Sequence, residues 1–357
     1  MITDQIWRNE EQAVFALRAL YQRYGYVPFK MSQFEEYDLY VRNKDFLVSD
    51  KIITFSGEGG KLMALKPDVT LSIVKNAPEE KGVVQKVYYS ENVYRDYREI
   101  MQAGLECVGD LTSYDIAEAV LLAVKSLEKL GGRYVLDISH MGLLAAVLER
   151  FGFDKGKQKQ AMGCLRQKNT HDLKALCAGN PEAWQALRAL SVCRGGAEAL
   201  EALKQYLTGE TEKRALEELK ALLGILAESG YAEKVRLDFS VGSALGYYSG
   251  VVFRGYLEGI PESVLSGGQY DKLPRKMGRK SRAIGFAVYV DLLQEREQEE
   301  NPFDVDTLIL HDGTVPLADL RRAAESAAAE GSVLVATKAP KGRSWKRKVE
   351  LKGGAAQ

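Results

Sequence analysis

The sequence predicts an α+β fold: a sheet of antiparallel strands packed with helices, broken by an all-helical excursion and followed by a short α/β unit. Three observations carry that prediction. Runs rich in Val, Ile, Tyr and Phe, separated by Gly, Pro, Asn or Asp, fill residues 26 to 109 and resume after residue 231. Apolar residues at helical spacing precede and follow the first group of runs. From about 141 to 231 the composition turns to Ala, Leu, Lys and Glu. At 357 residues the chain also exceeds the size at which one core stops growing, so more than one unit is expected.

Val14, Leu17, Leu20, Tyr21 and Tyr24 repeat at the period of an amphipathic helix within residues 5 to 24, and Gly25 stops it. "KIITFSG", "KLMALKP" and "VVQKVYYSENVYR" then read as antiparallel strands. Ala117, Val120, Leu121, Val124, Leu127 and Leu130 mark a second helix closed by Gly131 and Gly132, after which "RYVLDIS" is a strand. In the helical excursion, "NPEAWQALRAL" offers Asn180 as cap and Pro181 in the first turn. Strands resume with "KVRLDFS", "GYYSGVVFRGY", "SVLSGGQYDKL" and "AIGFAVYVDLL". Asn301 and Pro302 read as a linker, dividing a core of residues 1–302 from a unit of 303–357. In the second unit "DTLILHD", "LADLRRAAESAAAEG" and "SVLVATK" spell strand, helix, strand, and "KAPKGRSWKRKVELKGGAAQ" reads as a solvated basic tail.

The bulk numbers exclude several function classes. With 49 basic against 49 acidic residues there is no global attraction to nucleic acid or a membrane surface, so nucleic acid is not an expected partner. No apolar run is long enough to cross a bilayer and no leader-like start is present, so a cytoplasmic protein is expected. Cys107, Cys164, Cys177 and Cys193 form no Cys-x-x-Cys pair, and His140, His171 and His311 lie far apart, so neither disulfides, nor a metal, nor a His-based triad is expected.

One stretch looks like a binding surface. In "REIMQAGLECVG", read as a strand, Gln102, Gly104 and Glu106 share a face, and the glycine leaves an open polar notch between amide and carboxylate. By the same alternation Asp68 and Thr70 share a face, and Gly246 and Gly250 flank Tyr248, clearing room for a ligand. Such a surface suits a small ligand with hydrogen-bond donors, which the Asp68 carboxylate, the Thr70 hydroxyl and the Gln102 amide oxygen would accept.

"LKPDVTLSIVK", "REIMQAGLECVG", "LGYYSGVVF", "SGGQYDKL" and "AIGFAVYVDLL" occur in the order and approximate spacing of class II histidyl-tRNA synthetases, which residues 1 to 300 resemble. The resemblance implies a class II synthetase-like antiparallel sheet flanked by helices, and a histidine pocket at Asp68, Thr70, Gln102, Glu106, Tyr247, Tyr248 and Tyr270. Three departures bear on activity. Arg95 and Arg98 are separated only by Asp96 and Tyr97, where the family has a longer loop that meets ATP and tRNA. The family's Gly-x-Glu-Arg-Leu reads Tyr289, Val290, Asp291, Leu292, Leu293, so Leu292 stands at an ATP-binding arginine. Ser243 stands where the histidine-specific motif carries another arginine. Phosphates need permanently charged, bidentate donors, and removing one preorganised donor costs roughly 3 kcal/mol of transition-state stabilisation. The expectation is therefore that amino-acid binding persists and adenylate formation is lost, leaving no catalytic residues and no cofactor.

A histidine pocket without activation chemistry resembles the regulatory subunits of ATP phosphoribosyltransferase. That resemblance implies a short-form catalytic partner at the first step of histidine biosynthesis, free histidine as feedback ligand, a dimer within a hetero-octamer, and a truncated anticodon-binding-like remnant over 303–357. Three alternatives stand beside it: a catalytically active histidyl-tRNA synthetase, an ATP-dependent amide-forming ligase on the same core, and a scaffold that binds no small molecule.

Overall fold

The computed structural model describes residues 9–47, 49, 51–242, 247–295 and 303–353. The chain divides into two compact units, Met1–Arg296 and Glu297–Gln357. The first contains α1 (Asn9–Arg23), β1 (Val27–Pro28), β2 (Phe34–Glu36), α2 (Tyr37–Arg42), β3 (Thr54–Ser56), β4 (Leu62–Leu65), α3 (Thr70–Asn76), β5 (Val84–Arg95), β6 (Arg98–Gly109), α4 (Ser113–Leu130) and β7 (Tyr134–His140). There follow α5 (Met141–Arg150), α6 (Lys155–Gln167), α7 (Thr170–Leu176), α8 (Pro181–Val192), α9 (Ala197–Leu203) and α10 (Glu210–Glu228), then β8 (Val235–Leu237), β9 (Val251–Leu257), β10 (Leu265–Gln269), α11 (Lys272–Lys276) and β11 (Arg282–Tyr289). The second unit holds β12 (Val305–His311), α12 (Leu317–Ala328), β13 (Val333–Ala336) and β14 (Trp345–Leu351).

The frame of the first unit is an eight-stranded sheet ordered β1-β5-β6-β11-β10-β9-β7-β8. It is antiparallel except at its two ends, where β1 runs parallel to β5 and β7 to β8. Its longest strands, twelve residues each, form the hairpin β5–β6, closed by Asp96 and Tyr97 at φ 51° and 61°. Two consecutive residues of positive φ make the two-residue turn whose twist matches antiparallel strands. That turn sets Arg95 opposite Arg98 and fixes the register of everything built on β6.

One face of the sheet is covered by α1 and α4. Leu17 and Tyr21 of α1 and Leu122 and Leu127 of α4 bury fully against Leu105, Phe253 and Phe286. The Tyr21 hydroxyl meets Ser126 Oγ at 3.0 Å, so even this apolar contact satisfies its polar atoms. A Thr112–Asp115 capping box starts α4, and Gly131, at φ 76°, ends it. The opposite face carries a smaller core around Tyr40, Leu71, Ile73, Tyr89, Val93 and Tyr270. Helices α5 to α10 form the expected helical excursion, with Asn180 Oδ1 capping α8 at 3.0 Å ahead of Pro181. Asp238, nearly buried, ties this excursion to the sheet by accepting from Lys168 (2.8 Å) and Arg194 (2.9 Å).

Two expectations need correction. "KIITFSG" and "KLMALKP" do not join the main sheet; β2, β4 and β3 form a separate three-stranded antiparallel sheet, in that order. The basic tail is not merely solvated: Trp345–Leu351 is a strand parallel to β12, giving the order β13-β12-β14. Trp345, Val349 and Leu351 are part-buried in alternation with exposed Lys346, Lys348 and Glu350, the period-two pattern that the density of basic residues obscured. The expected linker at Asn301 and Pro302 lies outside the described residues. Among the described residues no helix is long and apolar enough to cross a membrane.

Candidate functional site

A cavity of about 570 Å³ opens on the face of the main sheet away from α1 and α4. Its floor follows from strand register. One row across the sheet reads Arg254, Ser266, Ala287, Gly104, Tyr89; the next reads Val252, Gly268, Gly285, Glu106, Val87. Small residues in the middle of both rows leave space above the sheet that ordinary side chains would fill.

The notch expected at Gly104 is not open. A Cβ there would sit 2.7 Å from the Tyr89 hydroxyl, which lies across the glycine from the neighbouring strand. Likewise Gly285 gives its space to the Glu106 carboxylate, with which any Cβ would collide. Gly250 accommodates Gln269 rather than a ligand, and Gly268 lies beneath the Tyr248 ring. Gly246 is outside the described residues.

Asp68 and Thr70 both line the cavity, but not as strand neighbours. The chain leaves β4, and Thr70 is the first residue of α3. Asp68 Oδ1 accepts from the Leu71 amide at 2.8 Å, satisfying one of the unpaired donors of a helix start. Thr70 Oγ1 donates to Glu106 Oε1 at 2.7 Å, while the Tyr270 hydroxyl donates to Oε2. Three of the expected site residues thus form one hydrogen-bonded set, with Glu106 at its centre and nearly inaccessible to solvent. Gln102, four positions before Glu106 on β6, faces the same cavity. Tyr247 packs edge-on against Tyr248 (centroids 4.5 Å), and also against Tyr270 (5.9 Å) and Phe46 (5.6 Å).

Burial dominates the electrostatics. It pushes the Glu106 carboxyl up to about 8, against the stabilising hydrogen bonds from Tyr270 and Thr70, so the group is mostly protonated at neutral pH. Desolvation also raises Asp68, opposed by the Leu71 amide and the charge of Arg95. Tyr247, Tyr248 and Tyr270 are all shifted upward, first by burial, and remain phenols. Arg95 lines the cavity 93 % buried, and its Nε has no partner among the described residues, whereas Arg98 is exposed. Leu292 is half-buried against the main core, and Ser243 lies outside the described residues.

Residues 2–293 match the family model described as histidyl-tRNA synthetase. The chain belongs to the histidyl-tRNA synthetase family. Among curated proteins it is 25% identical over 304 residues to an ATP phosphoribosyltransferase regulatory subunit of Bacillus mycoides, covering 81% of this chain and 72% of that one. A protein of the same description from Bacillus thuringiensis is 25% identical over 309 residues, covering 82% of this chain and 74% of the relative. Solved structures agree on the fold. An ATP phosphoribosyltransferase regulatory subunit/histidyl-tRNA synthetase from Bacillus halodurans superposes with a TM-score of 0.78 at 22% identity, covering 99% of this chain and 97% of that one. An ATP phosphoribosyl transferase complex from Thermotoga maritima gives 0.61 at 18% identity over 78% of this chain and 96% of its match.

Within the histidyl-tRNA synthetase family, this site contains residues that sequence reasoning passed over. Tyr289 stands at the glycine of the family's Gly-x-Glu-Arg-Leu, lines the cavity and shares a 2.8 Å hydrogen bond with Ser266. A phenol therefore occupies space that a glycine would leave empty, and the same motif that exposed Leu292 contained that signal. Arg254 also lines the cavity; its signal was a lone charge in "GVVFRGY". Tyr89 left no local trace, because only cross-strand pairing with Gly104 brings it to the site.

Proposed function

We propose that the chain is a non-catalytic regulatory subunit of ATP phosphoribosyltransferase. In this reading it binds histidine in the cavity and activates, and under feedback restrains, a short-form catalytic subunit at the first step of histidine biosynthesis. The observation that carries the reading is the two-residue turn at Asp96 and Tyr97. It closes the hairpin at Arg95 and Arg98, where a synthetase needs a longer loop over ATP and tRNA. Leu292 adds an aliphatic side chain at an arginine position, and Tyr289 adds bulk at a glycine position. The recognition side of the cavity is furnished: Asp68 and Gln102 present acceptors suited to an α-ammonium, while Glu106, Tyr248 and Tyr270 suit an imidazole. The names of the curated relatives point the same way.

On this reading the subunit works in the cytoplasm, as a dimer within a hetero-octamer with its catalytic partner. Regulation then requires that histidine bind two states of the assembly with different affinity, since a ligand indifferent to the two shifts nothing. The test is to mix the purified chain with a short-form ATP phosphoribosyltransferase. Phosphoribosyl transfer should appear only in the mixture and fall as histidine is added. A histidine-dependent exchange of pyrophosphate into ATP by the chain alone would instead establish the rival reading, an active histidyl-tRNA synthetase.

A further inference from the structure

Among the described residues Arg254 is a charged side chain without a partner, in an otherwise apolar strand. It lies on β9, between Asp137 on β7 and Ser266 on β10. Asp137 is already engaged by Nε and Nη2 of Arg236, and no ion pair or side-chain hydrogen bond joins Arg254 to any described residue. Arg254 is half-buried and lines the cavity beside Ser266 and Tyr289. A guanidinium held in a partly desolvated wall favours an oxyanion that offers it two acceptors.

The cavity is polarised by this placement. Asp68, Gln102 and Glu106 supply acceptors on the β6 and α3 side. Arg254 and Ser266 supply donors on the β9 and β10 side. Three inter-strand steps, about 14 Å, separate the backbone of Arg254 from that of Gly104 beside Gln102. Long side chains reaching inward from both ends leave a gap of small-molecule dimensions between them. A zwitterion matches both ends at once, and Arg95 alone, placed on β5 on the acceptor side, does not give the opposite end its charge.

We propose that Arg254 is a specificity-determining residue that pairs with the α-carboxylate of the bound amino acid, so that the cavity selects the free zwitterion over analogues lacking the carboxylate. This rests on the amino-acid reading of the cavity given above. The experiment is calorimetric titration of the full chain with L-histidine and with L-histidinol, which has the ammonium and imidazole but no carboxylate. The unmodified protein should prefer histidine by about ten- to a hundredfold, the range of a hydrogen-bonded charge pair. In Arg254→Met that preference should collapse to within about twofold, histidine having weakened and histidinol having hardly changed. Arg254→Lys, which keeps the charge but not the planar fork, should fall between the two and serves where the methionine variant folds poorly. Undiminished discrimination in both variants overturns the role of Arg254 while leaving the amino-acid reading intact. An unmodified protein that binds neither compound overturns both.

Discussion

Glu106 offers the sharpest test of the site's electrostatics, through replacement by glutamine. The side chain is nearly inaccessible and accepts from Thr70 and Tyr270, and burial lifts its carboxyl from the ordinary 4.5 to about 8. In the unfolded chain the group titrates near its ordinary value, so between about pH 4.5 and 8 the folded state binds the extra proton. The stability associated with that proton is fully present below the unfolded value and is lost as pH rises through the folded one. At about 1.4 kcal/mol per pH unit the interval corresponds to about 5 kcal/mol, a ceiling for a group bordering a cavity. Glutamine keeps the shape and one acceptor oxygen, its NH2 donating to a hydroxyl in place of the second acceptor, but cannot ionise. Urea unfolding at pH 5, 6, 7, 8 and 9 should therefore show the unmodified protein losing several kcal/mol across the series. Glu106→Gln should lose much less, retaining the weaker dependence that desolvated Asp68 contributes in the same direction. Parallel pH profiles for the two proteins would refute the argument, because they would mean that Glu106 titrates alike in the folded and unfolded chains.

Other substitutions test the frame around the site. Gly285→Ala drives a methyl group into the Glu106 carboxylate and the Leu105 carbonyl, and should cost about 1–3 kcal/mol in unfolding experiments, with weakened ligand binding. Lys66 is 1 % exposed and pairs with Glu91, so Glu91→Gln strands a buried ammonium; a loss of about 3–5 kcal/mol is expected, and a loss below about 1 would mean that the charge is solvated. Tyr97 is 81 % exposed at φ 61°, a conformation that glycine adopts freely, so Tyr97→Gly should raise stability by about 0.5–1 kcal/mol without altering histidine binding.

What the sequence disclosed divides along a physical line. Helix α4 was legible because its apolar period and closing glycine are local, and the same holds for the Asn180–Pro181 start of α8. The division of strands between two sheets was not legible, because β3 and β5 both carry β-branched and aromatic residues and only long-range pairing separates them. The start of α3 was misread for a different reason. Val69, Thr70, Ile73 and Val74 are strand-favouring residues, and they outweighed the local cue of an Asp68 side chain placed to cap the Leu71 amide. Even so, Asp68, Thr70, Gln102, Glu106, Tyr247, Tyr248 and Tyr270 all line one cavity. Motif register survives an error in local secondary structure because it records which residues meet, not how the chain runs between them.

The cavity also suggests how occupancy would reach a partner in the proposed assembly. Its walls come from separate segments: Asp45 to Leu47 between α2 and β3, the start of α3, the Tyr247–Tyr248 stretch ahead of β9, and Arg166 from the helical excursion. The floor, in contrast, is set by five adjacent strands of the main sheet. A ligand seated on that floor would gain or lose affinity through how closely those walls meet it, and any wall arrangement it prefers would be stabilised by the same free energy. Because Glu106 is mostly protonated when the cavity is empty, a cationic group arriving beside it favours release of that proton, so ligand charge and wall position act through one carboxyl. A synthetase spends such differential binding on its transition state, whereas here, with the turn at Asp96 and Tyr97 closed and Tyr289 over the floor, it is left to bias conformation.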